Sequence, residues 1–532
     1  MNKIELYDTT LRDGAQSEGI SFSVVDKLKI CEKLDLLGIH FIEGGWPGVN
    51  PKDLEFFKRS KNLKLKNSKI VAFGSTCRAK APVRQDKILK GLLAADTKYV
   101  TIFGKSWDLH VKDVFKVDLD ENLRMIADSI KFLKSNGKTV FYDAEHFFDG
   151  YKGNKDYAVL TLKAAEEAGA ARIIFCDTNG GTITSQVFEI VEEVKSIIKA
   201  PIGIHAHNDA EMAVANSVAA IQAGCVQVHG TINGYGERCG NANIVSIIAN
   251  LKLKLRIDCI SDITLRELTE AAHFVAEISN MKLQDNQPFV GNSAFAHKAG
   301  VHVNAILKNP KTYEHVDPAS VGNRRRLLIS ELSGKSTILK KAEDMDIGLG
   351  KNNEKSKKIL RILQGLENKG YHFEAAEGSL ELLIRRVMKT FKDFFELEDF
   401  RVIIEKRKSG KMSTEATIRL KVGKELERAA SLGDGPVNAL DSALRKALKK
   451  FYPSLAEMHL TDYKVRVLDE KEGTAARVRV LIQSQDKDAS WWTIGVSENI
   501  IDASWQALVD SIEYKLLKDS NKGLRQIGED II

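Results

Sequence analysis

Cysteine is scarce in this sequence, and none of it is paired. Cys31, Cys77, Cys176, Cys225, Cys239 and Cys259 are scattered singly with no CxxC spacing, which excludes a disulfide framework and a thiolate zinc site. Long hydrophobic runs are missing as well. No apolar stretch approaches the roughly 18 residues needed to cross a bilayer, and the N-terminal MNKIELYDTTLRDG lacks the charged-then-apolar pattern of a signal peptide. Both absences predict a cytoplasmic protein with no membrane partner. Charge of one sign is lacking too. The 79 Lys and Arg nearly balance the 72 Asp and Glu, and no basic run is interleaved with aromatics, so nucleic acid is not an expected partner. The short cluster Arg324, Arg325 and Arg326 reads as a solvated face or a contact for an anionic ligand. What remains, 532 residues of which 43% are hydrophobic, is enough for two or three packed domains.

The first 250 residues alternate regularly. Short β-branched or aromatic runs recur at 4–8, 40–46, 69–75, 99–106, 139–146, 172–178, 201–207 and 226–232, with helical stretches between them. Ser23 to Leu37 is typical: Ser23 is placed to cap, Leu28, Cys31 and Leu34 recur at helical spacing, and Gly38 is placed to end the helix. The same ending returns in EEAGA (166–170) and AIQAGC (220–225). Eight such units, with no Gly-rich dinucleotide loop after the first strand, predict an α/β fold of the (β/α)8 TIM barrel type rather than a doubly wound sheet. Nearly every run closes on polar residues: Asp8, Glu43, Ser75, Lys105, Glu145, Asp177 with Thr178, His205 with His207, and His229 with Asn233. In a barrel these ends converge on one mouth, where catalysis takes place.

Within PIGIHAHND (201–209), His205 and His207 are two apart, so in a strand both imidazoles point the same way and meet one ion. The loop after the first strand, DTTLRDGAQ (8–16), supplies an anionic partner in Asp13 beside Arg12. Two histidines and an aspartate suit a divalent cation that polarises a bound carbonyl: zinc, manganese, cobalt or iron, and magnesium less well. The same triad also describes non-haem iron oxygenases, so the ligands alone leave the chemistry open.

DTTLRDGAQ, HAHND and NGYGERCGN (233–241), in that order on the first, seventh and eighth strands, resemble the acyl-CoA condensing enzymes of the isopropylmalate, homocitrate and citramalate synthase group. EGGWPGVNPKD (43–53), FYDAEHFFDGYK (141–152) and CDTNGGT (176–182) look most like the citramalate synthase branch, which uses pyruvate. The resemblance implies a metal-dependent barrel that adds acetyl-CoA to a 2-oxo acid, a cytoplasmic step towards isoleucine. It implies metal ligation (Mn, Mg, Zn or Co) by Asp13, His205 and His207, with Asn241 as a weaker or water-mediated contact. Arg12 would face the keto oxygen, Gln16 and Thr178 would bind substrate, and Glu145 holds the position of the family glutamate. FAHKAGVHVNAILKNPKTYEHVDP (295–318) resembles the segment that reaches into the partner subunit's active site, which assigns catalytic roles to His302 and Tyr313 and implies at least a homodimer; His297 is of similar type. Asp143 departs from the small or apolar residues of the better-known synthases. A thiol nucleophile at Cys239 has only Arg238 beside it to lower its pKa.

The expected organisation is a catalytic barrel at 1–285, helical linker subdomains at 286–371 and a C-terminal α+β domain at 372–532. The stretch DIGLGKNNEKSKK (346–358) reads as a hinge or exposed connection. Beyond it a ββα-like unit occurs twice: EATIRLKV (415–422) with the helix at 438–451, then the strands at 476–484 and 488–496 with the helix at 500–517. This duplication resembles the regulatory domain of the same synthases, which binds an end-product amino acid at a dimer interface; the resemblance implies an amino-acid effector, isoleucine if the product is citramalate, and a plain dimerisation domain is the alternative. The alternatives are a 2-isopropylmalate or homocitrate synthase, a lyase or aldolase on the same barrel, and a non-catalytic amino-acid sensor.

Overall fold

The computed structural model describes residues 3–328, 343, 347, 353–373, 376–406, 408, 410, 412–468 and 476–529. Two compact units divide the chain: Met1–Phe295 with His315–Arg325, and Ala296–Glu314 with Arg326–Ile532.

The first unit is a closed parallel barrel. Its strands are β1 (Glu5–Asp8), β2 (Phe41–Gly45), β3 (Lys69–Ser75), β4 (Tyr99–Lys105), β5 (Thr139–Glu145), β6 (Arg172–Asp177), β7 (Ile202–Ala206) and β8 (Gln227–Gly230), and β8 closes on β1 with Glu5 opposite Gln227 and Asp8 opposite Gly230. All eight runs marked in the sequence are strands. They read as near-continuous apolar runs because both faces are covered. Tyr7, Phe41, Val71 and Phe141 pack inside, while Leu6, Ile42, Val100, Ile173 and Ile204 pack outward under the helices. Each fully buried aliphatic side chain of this set contributes roughly 1.5–3 kcal/mol.

Helix Val24–Leu37 shows how local sequence sets these boundaries. Ser23 Oγ accepts from the Asp26 amide and the Asp26 carboxylate accepts from the Ser23 amide, a reciprocal capping box. Gly38 ends the helix at φ 89°, a left-handed conformation that a side chain would strain. Lys27 on this helix is buried, where Nζ donates to Asp53 Oδ1 at 2.5 Å and to the Gly44 carbonyl at 2.9 Å, fastening the helix to β2.

The second unit contains helix Gly300–Lys308, a short pairing of β9 (Ala296–His297) with β10 (Arg326–Leu327), helices Asn353–Asn368 and Glu377–Met388, and two antiparallel sheets. The first sheet is β11 (Glu396–Lys406), β12 (Met412–Val422) and β13 (Glu425–Gly433), followed by helix Pro436–Leu448. The second is β14 (His459–Val467), β15 (Val478–Gln485) and β16 (Ser490–Ser497), followed by helix Ile500–Glu529. The duplicated unit is therefore βββα, not the ββα expected. Each copy carries one strand more than expected, β11 in the first and β14 in the second. Most positions of β11 and β14 are exposed, so they lack the one-sided apolar alternation that marks β12, and charges such as Glu396, Glu398, Lys464 and Arg466 mask them. Of the connection expected at 346–358, residues 346 and 348–352 lie outside the described residues; from Asn353 onward it is helix, with Ile359 and Leu363 supplying the buried face.

Candidate active site

The loop after β1 is built on one carbonyl. The amides of Arg12, Asp13 and Gly14 all donate to Thr9 O at 2.9–3.2 Å, which turns the chain sharply and presents Arg12 and Asp13 at the barrel mouth. Asp8 stabilises the turn by accepting from the Thr10 amide (2.9 Å) and hydroxyl (2.8 Å), and the Thr10 hydroxyl in turn accepts from the Ile232 amide at 2.9 Å, tying this loop to the one after β8.

Across the mouth, His205 is the penultimate residue of β7 and His207 follows the strand. Their Nε2 atoms lie 3.3 Å apart, and His205 Nε2 is 3.4 Å from Asp13 Oδ2. The three residues are buried, and each offers one ligand atom within 4.8 Å of the others. Burial alone would raise the Asp13 carboxyl, but the Arg12 guanidinium and the two histidines outweigh it and hold it well below the usual carboxylate range. Burial, then the neighbouring His205, pushes His207 down to about 4, so its imidazole is neutral at pH 7. Asn241 pairs with His207 in an isolated bridge, and its buried Oδ1 has no hydrogen-bond partner. Two converging imine nitrogens, a carboxylate held ionised and an orphaned amide oxygen make a donor set that fits a divalent cation.

The glycines of NGYGERCGN are needed for this approach. Gly236 has φ 159° and a Cβ there would lie 2.2 Å from Asn241 Nδ2; Gly240 has φ 88° and a Cβ there would lie 2.0 Å from the Gly234 carbonyl oxygen. Arg238 of the same loop pairs with both oxygens of Asp209 and donates to the Thr178 carbonyl at 2.7 Å, clamping the loop against the ends of β6 and β7.

A cavity of about 220 Å³ opens beside the triad, lined among others by Arg12, Asp13, Gln16, Glu145, Thr178, His205 and His207. The structure thus brings together all the barrel residues singled out for substrate and catalysis. Arg12 is fixed twice, by Nε on Glu43 Oε1 at 2.6 Å and by the Phe73 ring, 3.8 Å from its guanidinium carbon. Thr178 Oγ1 accepts from the His146 amide at 2.9 Å, leaving its own proton to donate. Glu145 is ion-paired with Lys105. Asp143 also lines the cavity. Burial first, then the nearby Glu43, raises its carboxyl to about 7, and its Oδ1 has no partner.

Not every strand end serves the mouth. His229 lies deeper, its ring stacked on Tyr7 with centroids 3.9 Å apart, and Asp177 is occupied by the Thr182 hydroxyl at 2.9 Å. Cys239 is exposed and does not line the cavity. Glu43 as the anchor of Arg12, and Glu237 and Arg238 as cavity lining, went unassigned in the sequence; for the last two, their place inside NGYGERCGN was the available signal.

His302 and Tyr313 belong to the second unit. Their rings lie 4.2 Å apart, both side chains are exposed, and the neighbouring His297 Nε2 is 3.2 Å from Glu314 Oε1.

Comparison with known proteins defines the class. Residues 3–275 match the HMGL-like family model, 289–370 the homocitrate synthase post-HMGL domain-like model, and 374–516 the LeuA allosteric (dimerisation) domain. The (R)-citramalate synthase of Geobacter sulfurreducens is 57% identical over 519 residues, covering 97% of this chain and 98% of that one. That of Aquifex aeolicus is 55% identical over 524 residues, covering 98% and 99%. A probable 2-isopropylmalate synthase of Methanopyrus kandleri, matched over a similar span (96% and 98%), is 31% identical over 515 residues. The chain belongs to the citramalate synthase family.

Proposed function

We propose that the barrel mouth condenses acetyl-CoA with pyruvate and hydrolyses the product to citramalate and CoA, and that Asp13, His205 and His207, with Asn241 at the edge, hold the divalent ion the reaction requires. The observation that carries this reading is the convergence of the two Nε2 atoms on the Asp13 carboxylate beside the Arg12 guanidinium. When bound there, the cation supplies Lewis acidity to the 2-oxo acid.

The chain's own groups account for the rest. Thr178 donates its free hydroxyl proton to the 2-oxo acid carboxylate, and Gln16 supplies a further polar contact. Arg12, rigid on Glu43 and Phe73, faces the keto oxygen and stabilises the negative charge that grows there as the carbon–carbon bond forms. Glu145 is the candidate base for the acetyl methyl proton, with the Lys105 ammonium beside it. The methyl carbon bonds to the keto carbon, the keto oxygen takes up a proton, and water then cleaves the thioester, releasing the CoA thiol and a carboxylate. Asp143, polar and deep in the cavity, favours a small 2-oxo acid over one with a branched apolar side chain, because burying hydrocarbon against an unpaired carboxyl gains little.

The organisation that fits this chemistry is a catalytic barrel over 1–285, linker subdomains over 286–371 and a regulatory domain over 372–532. His302 and Tyr313, exposed and side by side, suit a role in the active site of a partner subunit, which makes the working enzyme a homodimer or a larger homo-oligomer. An amino-acid effector, isoleucine, is the regulator that fits a step towards isoleucine, and the cytoplasm is where the reading puts the enzyme.

The test is CoA release from acetyl-CoA with pyruvate, 2-oxoisovalerate and 2-oxoglutarate in turn, with and without chelator. Chelator-sensitive release favouring pyruvate is expected. Preference for either larger acid would move the reading to a 2-isopropylmalate or homocitrate synthase, and no release with any acid would overturn it.

A further inference from the structure

The loop after β2 carries a donor that nothing in the chain uses. Trp46 lines the cavity of about 220 Å³ at the barrel mouth, and its Nε1, although buried, has no hydrogen-bond partner. An indole N–H can only donate, and a buried donor left unpaired is costly, so this group calls for an acceptor that comes from outside the chain.

The indole is held firmly. Its ring stands edge-on to Phe73 and to Phe103, with centroids 5.6 Å away in both cases and interplanar angles of 90° and 88°. The Trp46 amide donates to Asp53 Oδ2 at 2.9 Å, and the other oxygen of that carboxylate accepts from the buried Lys27 ammonium. The Trp46 carbonyl accepts from the amides of Val49 at 3.2 Å and Asn50 at 3.1 Å. The ion pair that fastens helix Val24–Leu37 to β2 therefore also fixes the backbone that carries the indole.

The same two phenylalanines bring Trp46 close to the reacting groups. The Arg12 guanidinium lies over Phe73, and the Lys105 ammonium, paired with Glu145, lies 5.6 Å from the centre of the Phe103 ring. The indole is thus flanked by the cation that faces the keto oxygen and by the candidate base.

Enolisation needs a donor here. When the base takes a proton from the acetyl methyl, the C–H electron pair becomes the carbon–carbon double bond of the enolate and the carbonyl π pair moves onto the thioester oxygen. A preorganised N–H at that oxygen lowers the barrier, because it meets charge that is small in the ground state and large in the transition state. The other donors lining the cavity are committed elsewhere. Arg12 serves the keto oxygen, Gln16 and Thr178 serve the 2-oxo acid carboxylate, and Arg238 is bound to Asp209 and to the Thr178 carbonyl. Trp46 Nε1 remains. It keeps its proton throughout: as the enolate carbon bonds to the keto carbon the thioester carbonyl re-forms, and the proton lost from the methyl is balanced by the one the keto oxygen takes up.

We propose, on the reading that acetyl-CoA condenses with pyruvate in this cavity, that Trp46 is a catalytic residue whose indole N–H binds the thioester oxygen of acetyl-CoA and stabilises its enolate.

The test compares the full-length wild type with Trp46→Phe, which keeps a ring against Phe73 and Phe103 and removes only the donor. In steady-state CoA release the variant should lose about 10²–10³-fold in kcat, the usual effect of deleting one such donor, with KM for pyruvate little changed. Titration calorimetry with Mn²⁺ and pyruvate present then uses S-carboxymethyl-CoA, whose carboxylate mimics the enolate oxygen, against CoA itself. Trp46→Phe should weaken the anion-tipped probe by about tenfold or more and leave CoA binding as it is. A second measurement needs no variant: in ¹⁵N-labelled wild type, one of the five indole N–H resonances should move downfield on adding S-carboxymethyl-CoA and stay put on adding CoA. A wild-type kcat in folded Trp46→Phe, equal weakening of both probes, or five unmoved indole resonances would overturn the assignment while leaving the catalytic reading standing. A wild type that releases no CoA with any 2-oxo acid would overturn both.

Discussion

Arg12 Nε donates to Glu43 Oε1 at 2.6 Å, and the other oxygen of the same carboxylate accepts from the Tyr7 hydroxyl at 2.7 Å. The guanidinium at the mouth is thereby tied to a buried tyrosine whose ring rests on His229. Glu43 and Asp13 outweigh burial and keep Arg12 charged. Glu43→Ala should leave a guanidinium whose side chain is only 16% exposed with Asp13, 3.4 Å away, as its remaining carboxylate, costing about 3 kcal/mol in chemical denaturation, whereas Glu43→Gln keeps an acceptor and should cost less. In steady-state kinetics Glu43→Gln should lower kcat more than it raises KM for pyruvate, because the contact it supports grows in the transition state. An unchanged kcat would show that Arg12 is positioned without it.

The donor set predicts its own dependence on metal. Chelation should abolish CoA release and lower the melting temperature, and added Mn²⁺ should restore both. Asp13→Asn, His205→Ala and His207→Ala should each lose the metal-dependent rise in melting temperature, and Asn241→Ala should weaken metal binding by about 10–100-fold, as expected for a more peripheral contact. Metal titration by calorimetry reads this directly. Undiminished binding in His207→Ala would remove it from the ligand set.

Gly240 supports the same geometry through the backbone. Gly240→Ala forces a methyl against the Gly234 carbonyl oxygen in a left-handed conformation. It should reduce metal affinity without touching a ligand, and a variant that binds metal as the wild type does would show that the loop adapts.

Lys27 and Asp53 are both buried and pair at 2.5 Å. Asp53→Ala should cost about 3–5 kcal/mol by leaving the ammonium unpaired, while Lys27→Met with Asp53→Leu together should cost much less, since breaking a buried pair is worse than replacing it. Urea titrations of the three proteins give the comparison. Equal losses in the single and double variants would mean that packing, not charge, sets the cost.

Glu513 should make stability depend on pH. It is buried, and burial raises its carboxyl to about 8 although the Phe394 amide donates to it. A folded value above the unfolded one, about 4.3, means that the unfolded chain releases its proton first. This contribution is fully present below the unfolded value and is lost as pH rises towards about 8. Glu513→Gln should flatten that slope and gain on the order of 1–4 kcal/mol relative to wild type at pH 8, with little difference at pH 4. Parallel wild-type and variant slopes between pH 5 and 8 would show that Glu513 is solvated in solution.

The barrel was legible because its strands are buried on both faces and its helices carry their own stop signals, so Ser23 and Gly38 mark a helix whatever surrounds it. The histidine pair was legible for a related reason: strand alternation puts His205 and His207 on one side before any contact is known. The edge strands β11 and β14 were not, because most of their positions are exposed and their charged faces carry no apolar alternation to mark them. Nor was the role of Glu43, marked in the sequence only as a polar strand end until the barrel closes and sets it against Arg12, 31 positions earlier in the chain. Residue identity and period fixed which groups could do chemistry; only closure of the barrel and packing of the helices decided which of them meet, since hydrogen bonds and ion pairs depend on distances in space that sequence separation does not encode.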